Sequence, residues 1–94
     1  MGAETFFVEA SGKTAQRAFS KAVEEAQYAY GHRGYTGTIA EKGDFVMIQC
    51  EGDAYEYADQ LVDDGDSRID NKWGPAGCVR ISDGNYLFFG WASC

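Results

Sequence analysis

Gly31-His32-Arg33-Gly34-Tyr35-Thr36-Gly37-Thr38-Ile39-Ala40-Glu41-Lys42 decides the fold, because a helical pattern stops at its first residue and a β-like pattern begins inside it. On its N-terminal side, Ala15, Ala18, Phe19, Ala22, Val23, Ala26 and Tyr30 recur at helical spacing. Gln16, Arg17, Ser20, Lys21, Glu24, Glu25 and Gln27 fill the opposite face, so the segment predicts an amphipathic helix. Thr14 is positioned as its N-cap and Gly31 as a left-handed stop. Further back, Thr5-Phe6-Phe7-Val8-Glu9 reads as a first strand bounded by Ser11-Gly12.

On the C-terminal side, Gly34 or Tyr35 through Ala40 and Phe45 through Cys50 read as two strands joined by Lys42-Gly43-Asp44, an expected antiparallel hairpin. Asp53 with Glu56 three residues later makes a capping-box start for a second helix, which buries Ala54, Tyr57, Ala58, Leu61 and Val62 and ends at Gly65. A loop runs from Gly65 to Gly77, held down by Ile69 and Trp73. Cys78 to Ile81 and Tyr86 to Ala92 are the last strands, joined at Asp83-Gly84, a pair suited to the positive φ angles of a type I′ turn. The order β-α-β-β-α-β-β predicts one α+β domain over residues 1–94, with a largely antiparallel sheet of about five strands and two helices on one face.

A chain of 94 residues has room for a single core. Six Phe, six Tyr and two Trp supply that core from few positions, since each large ring buries roughly 150–250 Å². No apolar run reaches the roughly 18 residues of a membrane span, and no basic segment precedes an apolar stretch at the N-terminus, so a cytoplasmic protein without membrane contact is expected. Cys50, Cys78 and Cys94 are odd in number and widely spaced, unlike a disulfide framework.

Several stretches imitate chemical sites. Ser11-Gly12-Lys13-Thr14 copies the end of a phosphate loop, but the glycine required five residues before Gly12 is Phe7. His32, with Arg33, Tyr35 and Glu41 as neighbours, is the starting point for any acid–base proposal, and a small enzyme or ligand-binding domain centred on His32, Tyr35 and Glu41 is the alternative function. No serine or cysteine nucleophile motif accompanies it, and a histidine just past a helix C-terminus also suits the helix dipole. Cys50, Cys78, Cys94 and His32 lack zinc-ligand spacing, and Asp63-Asp64-Gly65-Asp66 lacks the alternating acids of a calcium loop. Neither a metal nor a cofactor is expected, and no residue is assigned a catalytic role.

Charge gives the sharper signal. The whole net charge of −7 sits between Glu51 and Asp70, where Glu51, Asp53, Glu56, Asp59, Asp63, Asp64, Asp66 and Asp70 face Arg68 alone. Such a patch disfavours direct nucleic-acid binding, which needs a basic footprint, and suits a basic protein surface. Those eight carboxylates are the predicted partner-binding residues. The run Tyr86-Leu87-Phe88-Phe89 and Trp91 is apolar on both sides of its strand, which fits either a doubly covered central strand or a homodimer contact through this aromatic strand. A homo-oligomeric structural or regulatory module is a further alternative.

Residues 18–28 (Ala-Phe-Ser-Lys-Ala-Val-Glu-Glu-Ala-Gln-Tyr), Gly34 to Lys42, Lys72-Trp73-Gly74-Pro75-Ala76-Gly77 and Leu87-Phe88-Phe89-Gly90-Trp91-Ala92 resemble a group of small phage, prophage and prokaryotic proteins with no assigned chemistry. That resemblance implies a mobile-element context, in which small acidic proteins often inhibit host defence, anti-CRISPR proteins among them. The function expected from charge and resemblance together is a non-enzymatic, phage-encoded inhibitor of a host nucleic-acid-handling defence complex. It would act in the host cytoplasm by placing its negative patch on a basic surface.

Overall fold

The computed structural model describes residues 2–31 and 36–94. Strand β1 (Ala3–Ser11) is followed by helix α1 (Ala15–Tyr30), a 3₁₀ turn (Ile39–Glu41), β2 (Phe45–Met47), α2 (Ala54–Asp64), β3 (Ala76–Ser82) and β4 (Asn85–Ser93). The four strands form one sheet in the order β1-β4-β3-β2. β4 pairs antiparallel with β1, from Ala3 opposite Ser93 to Ser11 opposite Asn85, and antiparallel with β3. β2 pairs parallel with β3, Phe45 opposite Ala76. An α+β domain with a largely antiparallel sheet is therefore what the chain forms, with four strands among the described residues where about five were expected.

Both helices form where the local signals lie. The Thr14 side chain accepts from the Arg17 N–H, and Gly31, at φ 87°, donates its N–H to the Gln27 carbonyl and ends α1. The Asp53 carboxylate accepts from the Glu56 N–H, and Gly65 ends α2 in the left-handed conformation, at φ 66°. Gly12 belongs to this geometry too. A Cβ there would lie 2.8 Å from the Ala18 backbone nitrogen, so the glycine lets the chain pass tightly from β1 into α1.

The expected hairpin over residues 35–50 is corrected. Its first arm, where described, is a hydrogen-bonded corner. Thr36 donates to Glu41 Oε2 from both its N–H (3.2 Å) and its hydroxyl (2.7 Å), and Thr38 Oγ1 accepts from the Ala40 N–H. These local side-chain bonds satisfy the backbone in place of a ladder. With no antiparallel neighbour, β2 runs parallel to β3, and α2 supplies the crossover that parallel strands require.

The second correction concerns layering, because the helices cover opposite faces of the sheet. Ala18, Phe19 and Ala22 of α1 pack with Phe6, Ile39, Cys78, Phe88 and Ala92. Phe19, Phe45 and Phe88 meet there with ring centroids 5.0 to 5.7 Å apart. Ala54, Ala58, Leu61 and Val62 of α2 pack with Ile48, Ile69, Val79, Leu87 and Phe89 on the other side. Two-sided burial explains why β4 alternates between two apolar sets. Its residues Leu87, Phe88 and Phe89 are fully buried and both its edges are paired, so the doubly covered reading of this strand holds for those residues, while Tyr86 and Trp91 stay half-buried.

Candidate partner-binding surface

The segment from Glu51 to Asp70 forms the N-terminal approach to α2, the helix and the turn beyond it. Its buried residues Ala54, Ala58, Leu61 and Val62 lie on one side. At 100° per residue, Glu56, Asp59 and Asp63 then share the opposite side, and all three are exposed. Asp64 is exposed on a flank, and Glu51, Asp53 and Asp70 are exposed before and after the helix. Glu51, Asp53 and Glu56 converge with Tyr57 and Gln60 around a shallow hollow of about 250 Å³.

The eight carboxylates are not equivalent. Asp53 is the N-cap of α2. Asp66 accepts from the Arg68 backbone N–H and from two guanidinium nitrogens, each at 2.9 Å. That bidentate pair holds the Asp66 carboxyl down at about 2, chiefly through the side-chain hydrogen bonds, and raises the pKa of Arg68. Among the described residues the ion pairs are Arg68 with Asp66 and Arg80 with Asp83. Glu51, Glu56, Asp59, Asp63, Asp64 and Asp70 thus have no salt-bridge partner among those residues. Sequence spacing brought Glu56, Asp59 and Asp63 together correctly and marked Asp53 as the helix cap, but it did not separate Asp66, paired with Arg68, from the unpaired carboxylates.

The other candidates resolve into structural roles or fall outside the described residues. His32 and Tyr35 lie outside them, as does Arg33, and Glu41 spends one carboxylate oxygen on Thr36. Among the described residues no group of three or more His, Cys, Asp or Glu side chains is placed to hold a metal ion. Burial pushes the Cys78 thiol up to about 12, and burial followed by the carboxylates of Asp53 and Glu51 raises that of Cys50. Neither thiol is poised as a thiolate. No described helix is long and apolar enough to cross a membrane.

Two features escaped the sequence. Lys42 is buried, with its ammonium against three carbonyls, Gly74 at 2.9 Å, Lys72 at 3.2 Å and Asn71 at 3.4 Å. The Tyr55 hydroxyl of α2 donates to Glu9 Oε2 of β1, and that bond is the leading cause of a phenol pKa pushed up to about 12. A lysine beside a glycine turn and a tyrosine in a first helical turn carry no local signal for such distant partners. No family model, curated protein or solved structure matches the chain.

Proposed function

We propose that this is a non-enzymatic acidic binding protein whose α2 face and flanking turns occupy a basic surface on a host nucleic-acid-handling defence complex, in the manner of an anti-CRISPR inhibitor. The observation that carries the reading is the row Glu56, Asp59 and Asp63, exposed on one side of α2 without a salt-bridge partner among the described residues. Like charges three and four apart cost a helix a few tenths of a kcal/mol per pair. Grouped carboxylates also steer encounter with arginine- and lysine-lined grooves and compete there with phosphates. The phage context comes from the sequence resemblance, and the chemistry of recognition from the carboxylates.

The test compares the wild-type protein with Glu56→Lys/Asp59→Lys/Asp63→Lys/Asp64→Lys for inhibition of a host RNA-guided nuclease complex, at low and high salt. The expected result is inhibition by the wild type that weakens with salt and is lost in the variant while its circular dichroism is unchanged. Equal inhibition by both proteins would sink the reading.

A further inference from the structure

β1 is a nine-residue edge strand, and among the described residues its outer side lies next to a groove rather than a covering element. The hydrogen-bonding parity can be read from its ends. Gly2 exchanges both backbone bonds with Cys94, and the Gly12 N–H donates to the Gly84 carbonyl in the same register. Alternation then turns the even-numbered residues toward β4 and directs the N–H and C=O of Thr5, Phe7 and Glu9 outward. Among the described residues no backbone hydrogen bond is made to these outward groups.

Beside that edge, β1, α1 and residues 37–39 bound an open groove of about 410 Å³ among the described residues. Its walls include Phe6 and Val8 from the strand and Ala22, Ala26 and Ala29 from the helix. The alanines keep the helix wall low, leaving width for the alternate side chains of one added strand. The charge around this site has one dominant sign. Glu4 and Glu9 are the charged residues of β1, Glu9 also accepting from the Tyr55 hydroxyl, and Glu25 stands on the groove wall, against the single cation Lys21 beside Glu9 and Glu25 among the described residues. A second copy pairing edge to edge would bring its own Glu4 and Glu9 to the same place.

We infer that the outer edge of β1 takes an extended, basic segment of a partner protein as a fifth strand, its main chain bonding Thr5, Phe7 and Glu9 and its apolar side chains entering the groove beside α1. Main-chain pairing supplies affinity without regard to sequence, and the groove and carboxylates select alternating apolar and basic residues. A lone edge strand carrying acidic residues is also how a sheet discourages pairing with copies of itself. The same carboxylates that repel a like-charged edge attract a lysine-bearing one. The outward main-chain groups of β1 are not part of the exposed row on α2, although Tyr55 of α2 reaches Glu9, so substitutions in either place test one reading without removing the other.

The probe is a capped synthetic heptapeptide of alternating Lys and Val, titrated into the ¹⁵N-labelled protein with a Glu/Val peptide as control. Expected are amide shifts concentrated at Thr5, Phe7 and Glu9, at least tenfold weaker binding of the Glu/Val peptide, and weakening with salt. Thr5→Pro removes one outward N–H while leaving every β1–β4 bond in place, a substitution an edge strand tolerates. It is expected to weaken the Lys/Val peptide at least tenfold, while Thr5→Val stays within about threefold. Should Thr5→Pro not fold, Glu9→Lys/Glu25→Lys is the substitute variant, with the same tenfold loss expected. Absence of binding, equal binding of both peptides, or full affinity in the variant used would overturn the proposal. So would a dimeric mass in light scattering that Thr5→Pro converts to monomer, because the occupant would then be a second copy.

Discussion

The ammonium of Lys42 donates to the carbonyl oxygen of Gly74 at 2.9 Å, joining the residue after the 3₁₀ turn to the loop before β3. With the Lys72 and Asn71 carbonyls it closes a charge-assisted cluster on a lysine that is 3% exposed. The Gly34–Lys42 and Lys72–Gly77 blocks thus meet through one side chain. Hydrogen bonds to a charged group count for more than neutral ones, and carbonyls left without a donor in a buried site count against the fold.

Lys42→Met is therefore expected to destabilise the protein by about 1–3 kcal/mol, the cost of orphaned buried acceptors. Burial pulls the Lys42 pKa down to about 8, below its ordinary value of 10.5. The folded state thus holds its proton less tightly than the unfolded state. The desolvation penalty is present below about pH 8, and wild-type stability should rise relative to Lys42→Met as pH climbs from about 8 toward 10.5. Thermal melts of both proteins across that range check the sign. Taking the difference between them cancels the opposing alkaline titrations of Cys78 and Tyr55.

Gly77 sits under the α2-side core. A Cβ there would fall 2.7 Å and 2.9 Å from the Phe89 ring and 3.0 Å from Ile69 Cγ2. Gly77→Ala should lower stability by about 1–3 kcal/mol through overpacking. Gly43→Ala, where a Cβ meets nothing within 4 Å, should stay within about 0.5 kcal/mol. Urea denaturation of the two variants decides it, and equal stabilities would contradict the packing described for this face.

The acidic segment should divide into two classes by stability. Asp53→Ala removes the α2 cap and should cost about 1 kcal/mol. Asp59→Asn/Asp63→Asn relieves a like-charge pair and should be neutral or gain a few tenths of a kcal/mol. Asp66 titrates at about 2 in the fold instead of 3.8, so its contribution is present above pH 3.8 and disappears as pH falls through 2. Its pair with Arg68 is partly exposed, which limits the contribution to about 1 kcal/mol or less. Wild type and Asp66→Asn should therefore converge in stability between about pH 4 and pH 2 in acid unfolding curves.

The thiols should report the two-faced core. Cys78 is fully buried, whereas Cys50 and Cys94 are half-buried. A thiol reagent at pH 8 should modify at most two cysteines in the folded protein and the third only in denaturant. Because the Cys78 pKa is raised to about 12 from 9.0, protonated Cys78 favours the fold at neutral pH, and that contribution declines as pH rises above about 9. Cys78→Ala should flatten this part of the alkaline stability curve.

Local chemistry made the helices legible in the sequence alone. The spacing of Ala18, Phe19 and Ala22, the caps at Thr14 and Asp53 and the stops at Gly31 and Gly65 act within a few residues of one another, as does the Asp83-Gly84 turn. The concentration of carboxylates around α2 was legible for the same reason. Tertiary structure decided what depends on distant partners. β2 finds β3 in parallel through the α2 crossover, and the helices divide between the faces. It also seated Lys42 among the 71–74 carbonyls and, among the described residues, left the outer edge of β1 without a pairing strand. Apolar alternation on both sides of β4 fits two covering layers but does not say that a helix covers each side, or which helix takes which. Chain connectivity and the pairing of β2 with β3 make that choice.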